Sequence, residues 1–440
     1  MTGIYPQLKL AAVVFNNRNR ANAHSEYLGA ESTYQHTDVY TAGGGEIFVK
    51  ALRTAAAVSL VFVMLASGLF VGVPVRSEAL AEPYEWTIAV YGDVDDTQLE
   101  DAWDMYTSPA LLGVPANDKV SVVAAVDRFG IMGTEVIEYC GGVATVVDTE
   151  PEQNFGDPDT LKWFIQKVAV SYPSNHLALM LWDHGGGWYG VCWDDTDDDY
   201  LSIDDLSAGI SSAGTYIDVL GFDCCMMASM EVVYEVYTTG LVGMVVGSEG
   251  QAPYTGYPYD IMFSPLAANP YLTKEQVADD MVYGWDVYYS TGRGHGMINW
   301  IDLNALDVTV LGGVVLNEFK IWMNAAQADV DMYWKEYLQA FKNSEMVGDY
   351  YNVDIERFSE YLLNDKDVTD TELRDASMGL VSAIDLGVNA QSCGSNSPLA
   401  GITLWFGLGH EFDDYGLRYS GTTFSIETGW HSFLTLVNSY

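Results

Sequence analysis

The sequence predicts an α/β fold in which helices cover both faces of a mostly parallel β-sheet. Short apolar segments alternate with longer segments of helical character, which is typical of strands joined by crossover helices. The 440 residues are 49% hydrophobic, which is enough to bury a large core. Since sites in such sheets lie beyond the carboxyl ends of the strands, we expect the functional residues at that edge.

The first half of the chain predicts strands and helices in alternation. Strands are expected at 86–91, 120–126, 177–182 and 216–223. Helices are expected from residue 97 and over 159–172, 202–213 and 226–237. Ser202 followed by Asp205 is typical of a helix N-terminus, because each side chain can accept a backbone N–H of the first turn.

The second half predicts a smaller α/β region packed on the first. Helical stretches run over 308–340 and 356–363, and the apolar segments "MGLVSAID" (378–385) and "PLAGITLWFG" (398–407) predict two further strands. We accordingly divide the chain into an N-terminal extension, a main domain and a C-terminal accessory region, at 1–81, 82–275 and 276–440.

The N-terminal extension contains an apolar segment with no charged residue, at 54–75, which follows two basic residues. The segment is long enough to span a bilayer. Pro74 interrupts it, however, and "ALA" at 79–81 has the small-residue pattern of a signal-peptidase site. We therefore expect a secreted or cell-surface protein, with a cleaved signal favoured over a membrane anchor.

Acidic residues dominate the composition. There are 61 Asp and Glu against 19 Lys and Arg, giving a formal charge of -42 at pH 7. This charge repels phosphate backbones, so we expect no nucleic-acid partner. The acids are spread along the chain, which favours a solvated surface in a salty exterior. Five cysteines without a C-x-x-C pair indicate neither a disulfide framework nor a zinc site of the usual spacing.

Two motifs place reactive side chains after predicted strands. "LMLWDHGGGW" puts His184 after one strand, and "VLGFDCCMM" puts Cys224 and Cys225 at a strand-to-helix turn. A helix N-terminus lowers the pKa of a thiol, and a histidine at the same sheet edge would complete an acyl-transfer site. The lipase interpretation of the three glycines requires a G-x-S-x-G pentapeptide, which the chain lacks.

Two other interpretations of the cysteines stay open. Free cysteine is among the most buried residue types, so both residues also fit a plain core position. A redox or metal site built on the vicinal Cys224 and Cys225 is the other alternative, with Cys192 and His184 as its candidate further ligands.

The order and spacing of several motifs resemble the clostripain-like cysteine peptidases, relatives by fold of caspases, gingipains and legumain. The similarity extends over most of the chain after the apolar segment. It includes "WTIAVYGDVDDTQLE", "VVAAVDR", "QNFGDPDTLKWFI", "LALMLWDHGGGW", "FDCCMMASMEVVYEV", "GSEGQAPYTGYPY" and "GITLWF". The resemblance implies a caspase-like fold and a cysteine endopeptidase that acts on proteins or peptides.

The resemblance also assigns roles to individual residues. The family's Asp-Ala-Cys-Leu-Met pattern matches 223–227, so Cys225 is the implied nucleophile and Cys224 takes the alanine position. His184 matches the catalytic histidine, and the backbone N–H groups of Gly185 and Cys225 are expected to bind the oxyanion. The alternative is a catalytically silent caspase-like scaffold that acts as a cell-envelope binding protein.

Relatives of this kind typically cleave after Arg or Lys, using acids in the substrate pocket. Asp223 matches one of these acids. Many relatives have a second acid in a later motif, but here that motif reads Pro-Tyr-Thr-Gly-Tyr over 253–257 and supplies Thr255 instead. We expect Glu249 to compensate for the missing carboxylate.

The densest acidic segment is "WDDTDDDYLSIDD". Asp195, Asp197 and Asp199 have the spacing of the first half of an EF-hand loop, but Tyr200 replaces the required glycine and Leu206 stands at the twelfth position. The sequence therefore predicts a looser calcium site at the three aspartates, and no cofactor for the chemical step itself.

Overall fold

The computed structural model describes residues 82–96, 99–130, 133–290, 301–344, 346–347, 351–393 and 399–440. Residues 81–440 form one compact unit. The predicted signal or anchor at 54–75 lies outside the described residues. Within the described ranges, every helix is too short or too polar to cross a membrane.

The described residues contain fourteen strands, numbered here in chain order. They are β1 (Tyr84–Val94), β2 (Val120–Arg128), β3 (Glu135–Cys140), β4 (Val143–Thr149), β5 (Ser174–Trp182), β6 (Val191–Asp194), β7 (Asp199–Leu201), β8 (Ile217–Asp223), β9 (Val242–Gly247), β10 (Asp302–Asp307), β11 (Met346–Val347), β12 (Asn352–Asp354), β13 (Val388–Cys393) and β14 (Thr403–Trp405).

Nine of these strands form one sheet in the order β13-β10-β9-β8-β5-β1-β2-β3-β4. The five central strands, from β9 to β2, run parallel. Two antiparallel strands extend the sheet on each side. This arrangement confirms the predicted α/β fold with a mostly parallel central sheet. The remaining strands form a three-stranded sheet, β11-β12-β14, and the β6-β7 hairpin.

Helices connect the strands and cover both faces of the sheet. Their bounds are Glu100–Ala102, Ser108–Gly113, Pro158–Ser171, Ile203–Ala213, Met230–Thr238, Tyr259–Met262, Ser264–Ala268, Lys274–Ser290, Leu316–Ala328, Val330–Asn343, Ile355–Asn364, Thr371–Gly387, His410–Tyr419, Thr423–Thr428 and Trp430–Val437, with π-helical turns at Trp103–Thr107 and Val310–Val315.

Side-chain alternation along β1 shows how the sheet divides the core. Ile88 and Val90 pack into the apolar cluster on one face, and Ala89 and Tyr91 pack into the cluster on the other. All four side chains are fully buried. A strand that is covered on both faces reads as a continuous apolar run, which explains why the sequence made the central strands easy to locate.

The C-terminal region is joined to the main sheet by strands and by buried carboxylates. Strands β10 and β13 extend the sheet beyond β9. Fully buried Glu231 accepts the Trp405 N–H at 2.9 Å, and fully buried Glu249 accepts the Gly401 N–H at 2.6 Å. A boundary at residue 275 therefore runs through one compact unit.

The strand prediction for 378–385 is wrong, because this segment lies inside the helix Thr371–Gly387. Eight residues are too few to show a helical spacing of apolar residues, which becomes clear only over the full length of the helix. Its fully or largely buried residues recur at intervals of three or four: Leu373, Ala376, Ser377, Leu380, Ala383, Ile384 and Gly387. Of the predicted strand at 398–407, the described residues 399–407 contribute the three residues of β14.

Helix caps agree better with the sequence. The Ser202 side chain accepts the Asp205 N–H at 3.1 Å, as the capping pattern predicts. The helix after β8 begins at Met230 with Ser229 as its N-cap, four residues later than expected. The turn that contains Cys225 is therefore longer than the sequence indicated.

Candidate active site

The candidate active site lies where three neighbouring parallel strands end. Trp182, the last residue of β5, pairs with Asp223, the last residue of β8. On its other side Trp182 pairs with Gly92 of β1. The residues that follow these strands therefore meet at one edge of the sheet, as predicted for His184 and Cys225.

Gly185 brings the two predicted catalytic segments into direct backbone contact. A Cβ atom at this position would lie 2.2 Å from the Cys225 carbonyl oxygen and 2.9 Å from the Cys224 Cβ. These distances are far below van der Waals contact, so only glycine fits. The glycine after the histidine is thus required by the close approach of the Cys225 turn.

The His184 side chain is half exposed and is held by a carboxylate. Its Nε2 lies 3.3 Å from Oδ2 of Asp96, which follows β1. In the tautomer that carries its hydrogen atom on Nε2, the ring donates to Asp96 and Nδ1 can accept a proton. Sequence reasoning missed Asp96, although it belongs to the "GDVDD" segment at a strand end.

The Cys225 thiol is partly buried in the turn after β8. Its Sγ accepts the Ala252 N–H at 3.3 Å. Burial raises the pKa of this thiol, partly offset by that hydrogen bond. The expected help from a helix N-terminus is absent, because the helix begins only at Met230. Among the described residues, no hydrogen bond joins His184 to Cys225.

Cys224 occupies a different environment from its neighbour. Its side chain is buried, and its Sγ donates to the Leu181 carbonyl at 3.3 Å. The two adjacent thiols therefore make hydrogen bonds to different parts of the structure, Cys224 toward β5 and Cys225 toward the loop at Ala252. Position 224 is a core position, so the core interpretation, which was left open for both cysteines, applies to Cys224.

Asp223 is a buried carboxylate beneath the 253–257 loop. It accepts the Tyr257 N–H at 2.9 Å and the Tyr259 hydroxyl at 3.2 Å. Burial raises its pKa to about 7. A Cβ at Gly256 would lie 3.0 Å from its carboxylate oxygen, so this loop packs directly on the acid.

The structure does not bring all three predicted substrate-binding residues together. Thr255 belongs to the loop over Asp223, and its hydroxyl hydrogen-bonds the Tyr289 hydroxyl at 2.8 Å. Glu249 is fully buried and holds the Gly401 backbone instead. Its placement gives it a structural role and does not support the expected compensation in the pocket.

The three loop aspartates predicted to bind calcium make contacts with different residues. Asp195 lines a cleft with His184. The Asp197 side chain contacts Glu152 and its N–H donates to Asp194 at 2.9 Å, whereas Asp199 accepts the Asn154 side-chain amide at 2.8 Å. Within the described chain these three carboxylates do not form a common cluster.

A different set of four carboxylates does come together nearby. One oxygen from each of Asp95, Asp127, Glu152 and Asp194 lies within 4.8 Å of the others. These residues follow or end four different strand segments, so their distance along the chain concealed the cluster. Burial raises the pKa of Asp127 to about 7 and that of Asp194 to about 6.

The carboxylates of this cluster are oriented by their second oxygens. Asp95 Oδ2 accepts the Thr196 N–H at 3.1 Å, and Asp127 Oδ1 accepts the Thr134 hydroxyl at 2.7 Å. Asp95 Oδ1 and Asp127 Oδ2 are buried without a hydrogen-bond partner among the described residues. Both residues are fully buried. Unpartnered buried carboxylate oxygens are costly unless a cation or a proton compensates them.

Comparison with known proteins agrees with the geometry of this sheet edge. The sequence model of the clostripain family, Peptidase C11, matches residues 104–397. The chain belongs to the clostripain family. This result confirms the resemblance seen in the motifs, and it supports the predicted class of cysteine endopeptidase.

Individual relatives extend the comparison. Clostripain from Hathewaya histolytica is 30% identical over 152 residues, which make up 30% of this chain and 28% of that protein. The chain thus matches less than a third of the length of this curated relative. The clostripain-family fold is also shared with solved structures that are more distant in sequence.

Two solved C11 proteases show the same fold. A secreted C11 cysteine protease from Bacteroides thetaiotaomicron, in complex with an irreversible peptide inhibitor, superposes with a TM-score of 0.61 at 17% identity over 79% of this chain and 99% of that chain. An inactive zymogen C11 protease from Parabacteroides distasonis gives 0.61 at 14% identity with the same coverage.

The contact between Gly185 and Cys225 yields the first prediction. Gly185→Ala should lower kcat/KM by about 100-fold, because a misplacement of roughly 1 Å at reacting groups has that effect. Hydrolysis of an arginyl fluorogenic amide measures the loss. Gly313→Ala is the matched control, since its Cβ would meet only one atom, at 3.9 Å. Full activity in Gly185→Ala would contradict the close approach.

Proposed function

We propose that this clostripain-family chain is an exported cysteine endopeptidase that uses Cys225 and His184 as a catalytic dyad. The proposal rests on two observations. Strands β5 and β8 end at the same level in the sheet, and the backbone at Gly185 is in close contact with that of Cys225. A nucleophile and a base at adjacent strand ends satisfy the geometric requirement of acyl transfer. Proteins or peptides are the proposed substrates.

In the proposed reaction the Cys225 thiol is protonated at rest, because burial raises its pKa. His184 Nδ1 accepts the thiol proton as the sulfur attacks the scissile carbonyl carbon. The resulting imidazolium then protonates the leaving amine as the peptide C–N bond breaks. His184 next removes a proton from water, which attacks the thioester and releases the carboxylic acid product and the Cys225 thiol. Asp96 is positioned to stabilise the imidazolium.

The oxyanion of the tetrahedral intermediate would be bound by the N–H groups of Gly185 and Cys225. Neither N–H donates to a backbone carbonyl in the part of the chain that the structure describes. Donors that are already in place for the developing charge are worth about 2.7–4 kcal/mol each in related sites. This arrangement favours Cys225 over Cys224, whose thiol is engaged with Leu181.

Cleavage after Arg or Lys is the proposed specificity, with Asp223 as the acid of the pocket. The carboxylate lies two residues before Cys225 and is covered by the 253–257 loop. A buried carboxylate binds a cationic side chain strongly when it is ionised. Since the pKa of Asp223 is about 7, its carboxylate changes charge near neutral pH, and binding of a cationic side chain should strengthen as the carboxylate ionises.

Export is proposed from the apolar segment at 54–75 and its small-residue site at 79–81. The B. thetaiotaomicron relative is described as secreted, which supports the same location for this chain. A cleaved signal, rather than a permanent membrane anchor, is the proposed form. The strongly acidic composition suits a protein that works in an ion-rich exterior.

Calcium is proposed as a structural ion at the cluster of Asp95, Asp127, Glu152 and Asp194, in place of the three loop aspartates. Calcium takes six to eight hard oxygen ligands, and carboxylates are its usual protein donors. The unpartnered buried oxygens of Asp95 and Asp127 fit this requirement. The ion would hold the segments next to His184, since Asp95 precedes Asp96, and it takes no part in the chemical step.

The dyad predicts different effects for two adjacent cysteines. Cys225→Ala should lower peptide hydrolysis by at least about 1,000-fold, as loss of a nucleophile does in related dyads and triads. Cys224→Ala should keep most activity. Labelling by an arginyl acyloxymethyl ketone, read by mass spectrometry, should be lost only in Cys225→Ala. Peptide hydrolysis at the wild-type rate by Cys225→Ala would contradict the assignment of Cys225 as the nucleophile.

Asp223 predicts a pH-dependent preference for charge. The carboxylate is neutral below its pKa of about 7 and charged above it, so the preference for arginine over uncharged citrulline should rise through pH 7 and then level off. The ratio of kcat/KM for paired arginyl and citrullyl substrates measures this effect and cancels titration of the dyad. Asp223→Asn should give a low ratio that does not change with pH. A wild-type ratio that is flat from pH 6 to 8 would refute the role of Asp223.

The calcium proposal predicts a crossover in stability. Without calcium, Asp127→Asn should melt at a higher temperature than the wild type at pH 8, because it relieves repulsion among buried carboxylates. With calcium, the wild type should gain stability and Asp127→Asn should gain much less. Asp199→Asn is the matched loop control and should respond as the wild type does. Unfolding temperatures that are the same in EDTA and in calcium would refute the site.

A further inference from the structure

A cleft of about 440 Å³ opens beside His184. Its walls contain His184 and Gly185, but neither Cys225 nor Asp223 belongs to them. The cleft therefore lies on the histidine side of the dyad, apart from the carboxylate proposed to bind the residue before the scissile bond. Its lining comprises Asp96, His184, Gly185, Gly186, Trp188, Tyr189, Trp193, Asp195, Glu411 and Tyr415.

The position of the cleft identifies which part of a substrate would enter it. In the proposed reaction His184 gives a proton to the leaving amine, so the residue after the scissile bond must lie against His184. The side chain of that residue can then enter the adjoining cleft. The volume falls in the range of side-chain and small-molecule sites.

Carboxylates give this cleft a strongly negative character. Asp96, Asp195 and Glu411 contribute side chains to its walls. The ion pairs of the described residues include His184 with Asp96, but none involves Asp195 or Glu411. Burial raises the pKa of Glu411, which indicates that its carboxylate is partly withdrawn from water. A cationic side chain in the cleft would be attracted to these carboxylates.

Aromatic rings also line the cleft and suit a flat or extended cation. Tyr189 and Trp193 are stacked with an interplanar angle of 8°, and Tyr415 meets Tyr189 edge-on. Arg418 does not line the cleft, but its guanidinium carbon lies 3.9 Å from the centroid of the Tyr189 ring, so this ring already contacts one cation. Guanidinium and ammonium groups are attracted to such ring faces.

Glu411 and Tyr415 come from one helical surface. They lie one turn apart in the helix His410–Tyr419, so both project toward the same side. This helix belongs to the C-terminal region, whereas His184 follows β5 and Trp193 lies in β6. The cleft is thus assembled from distant parts of the chain, and no local motif marks it.

We propose that this cleft is a subsite for a basic residue immediately after the scissile bond. Together with Asp223 on the other side, it would direct the enzyme to peptides with consecutive basic residues. The inference rests on the proposed peptidase function and adds a second specificity element to it. Glu411 is the specificity-determining residue contributed by the C-terminal region.

The test uses internally quenched peptides that share an arginine before the scissile bond and differ only in the next residue, Lys, Ser or Glu. The wild type should cleave the Lys peptide with the highest kcat/KM and the Glu peptide with the lowest. Glu411→Gln should reduce the Lys-to-Ser ratio by about fivefold, which is the upper range for one partly exposed charge pair. Glu411→Lys should move the preference toward the Glu peptide.

Asp414→Asn is the matched control, because Asp414 is an exposed acid of the same helix that does not line the cleft. Its ratio should equal that of the wild type, and unfolding temperatures check that all variants are folded. An arginyl aminomethylcoumarin, which has no residue after the bond, separates the two proposals. If the wild type cleaves it but shows no preference among the three peptides, the subsite is refuted and the peptidase stands. If no substrate is cleaved, both proposals are refuted.

Discussion

The candidate active site depends on the register between two parallel strands. Because Trp182 pairs with Asp223, β5 and β8 end at the same level, and the segments that follow them must turn away from the sheet side by side. Gly185 allows these segments to touch at backbone distance. A shift of one residue in this register would separate His184 from Cys225 and turn the core side chains of the shifted strand to the opposite face. The pairing of these two strands therefore determines where the candidate catalytic residues lie relative to one another.

Much of this framework was predictable from the sequence. The central strands are continuous apolar runs, and the reactive residues follow them directly, so their common edge could be inferred. The helix Thr371–Gly387 could not be recognised from 378–385 alone, because short apolar runs fit a strand or a buried helix equally well. Other features depend on tertiary contacts that leave no local sequence pattern. They are the contact of Asp96 with His184, the hydrogen bond of Glu249 with Gly401 and the clustering of Asp127 with Glu152.

The acidic composition has a structural part as well as a surface part. Glu231 and Glu249 are fully buried, and each accepts a backbone N–H from the C-terminal region. In these positions a carboxylate satisfies a peptide group that would otherwise lose its hydrogen bond on burial. The formal charge of -42 therefore overstates the density of acids on the surface, because some of them act as internal connectors.

The same connectors have a consequence for biosynthesis. Thr403 donates its N–H to the Ala228 carbonyl, three residues beyond Cys225, and Gly401 donates to Glu249. A nascent chain that has left the ribosome only as far as β9 carries both His184 and Cys225 but lacks β14, which holds the turn that contains Cys225. The order of translation thus delays completion of the site until nearly the whole chain has emerged. The part of this peptidase that could damage proteins of its own cell is therefore the last part to be completed.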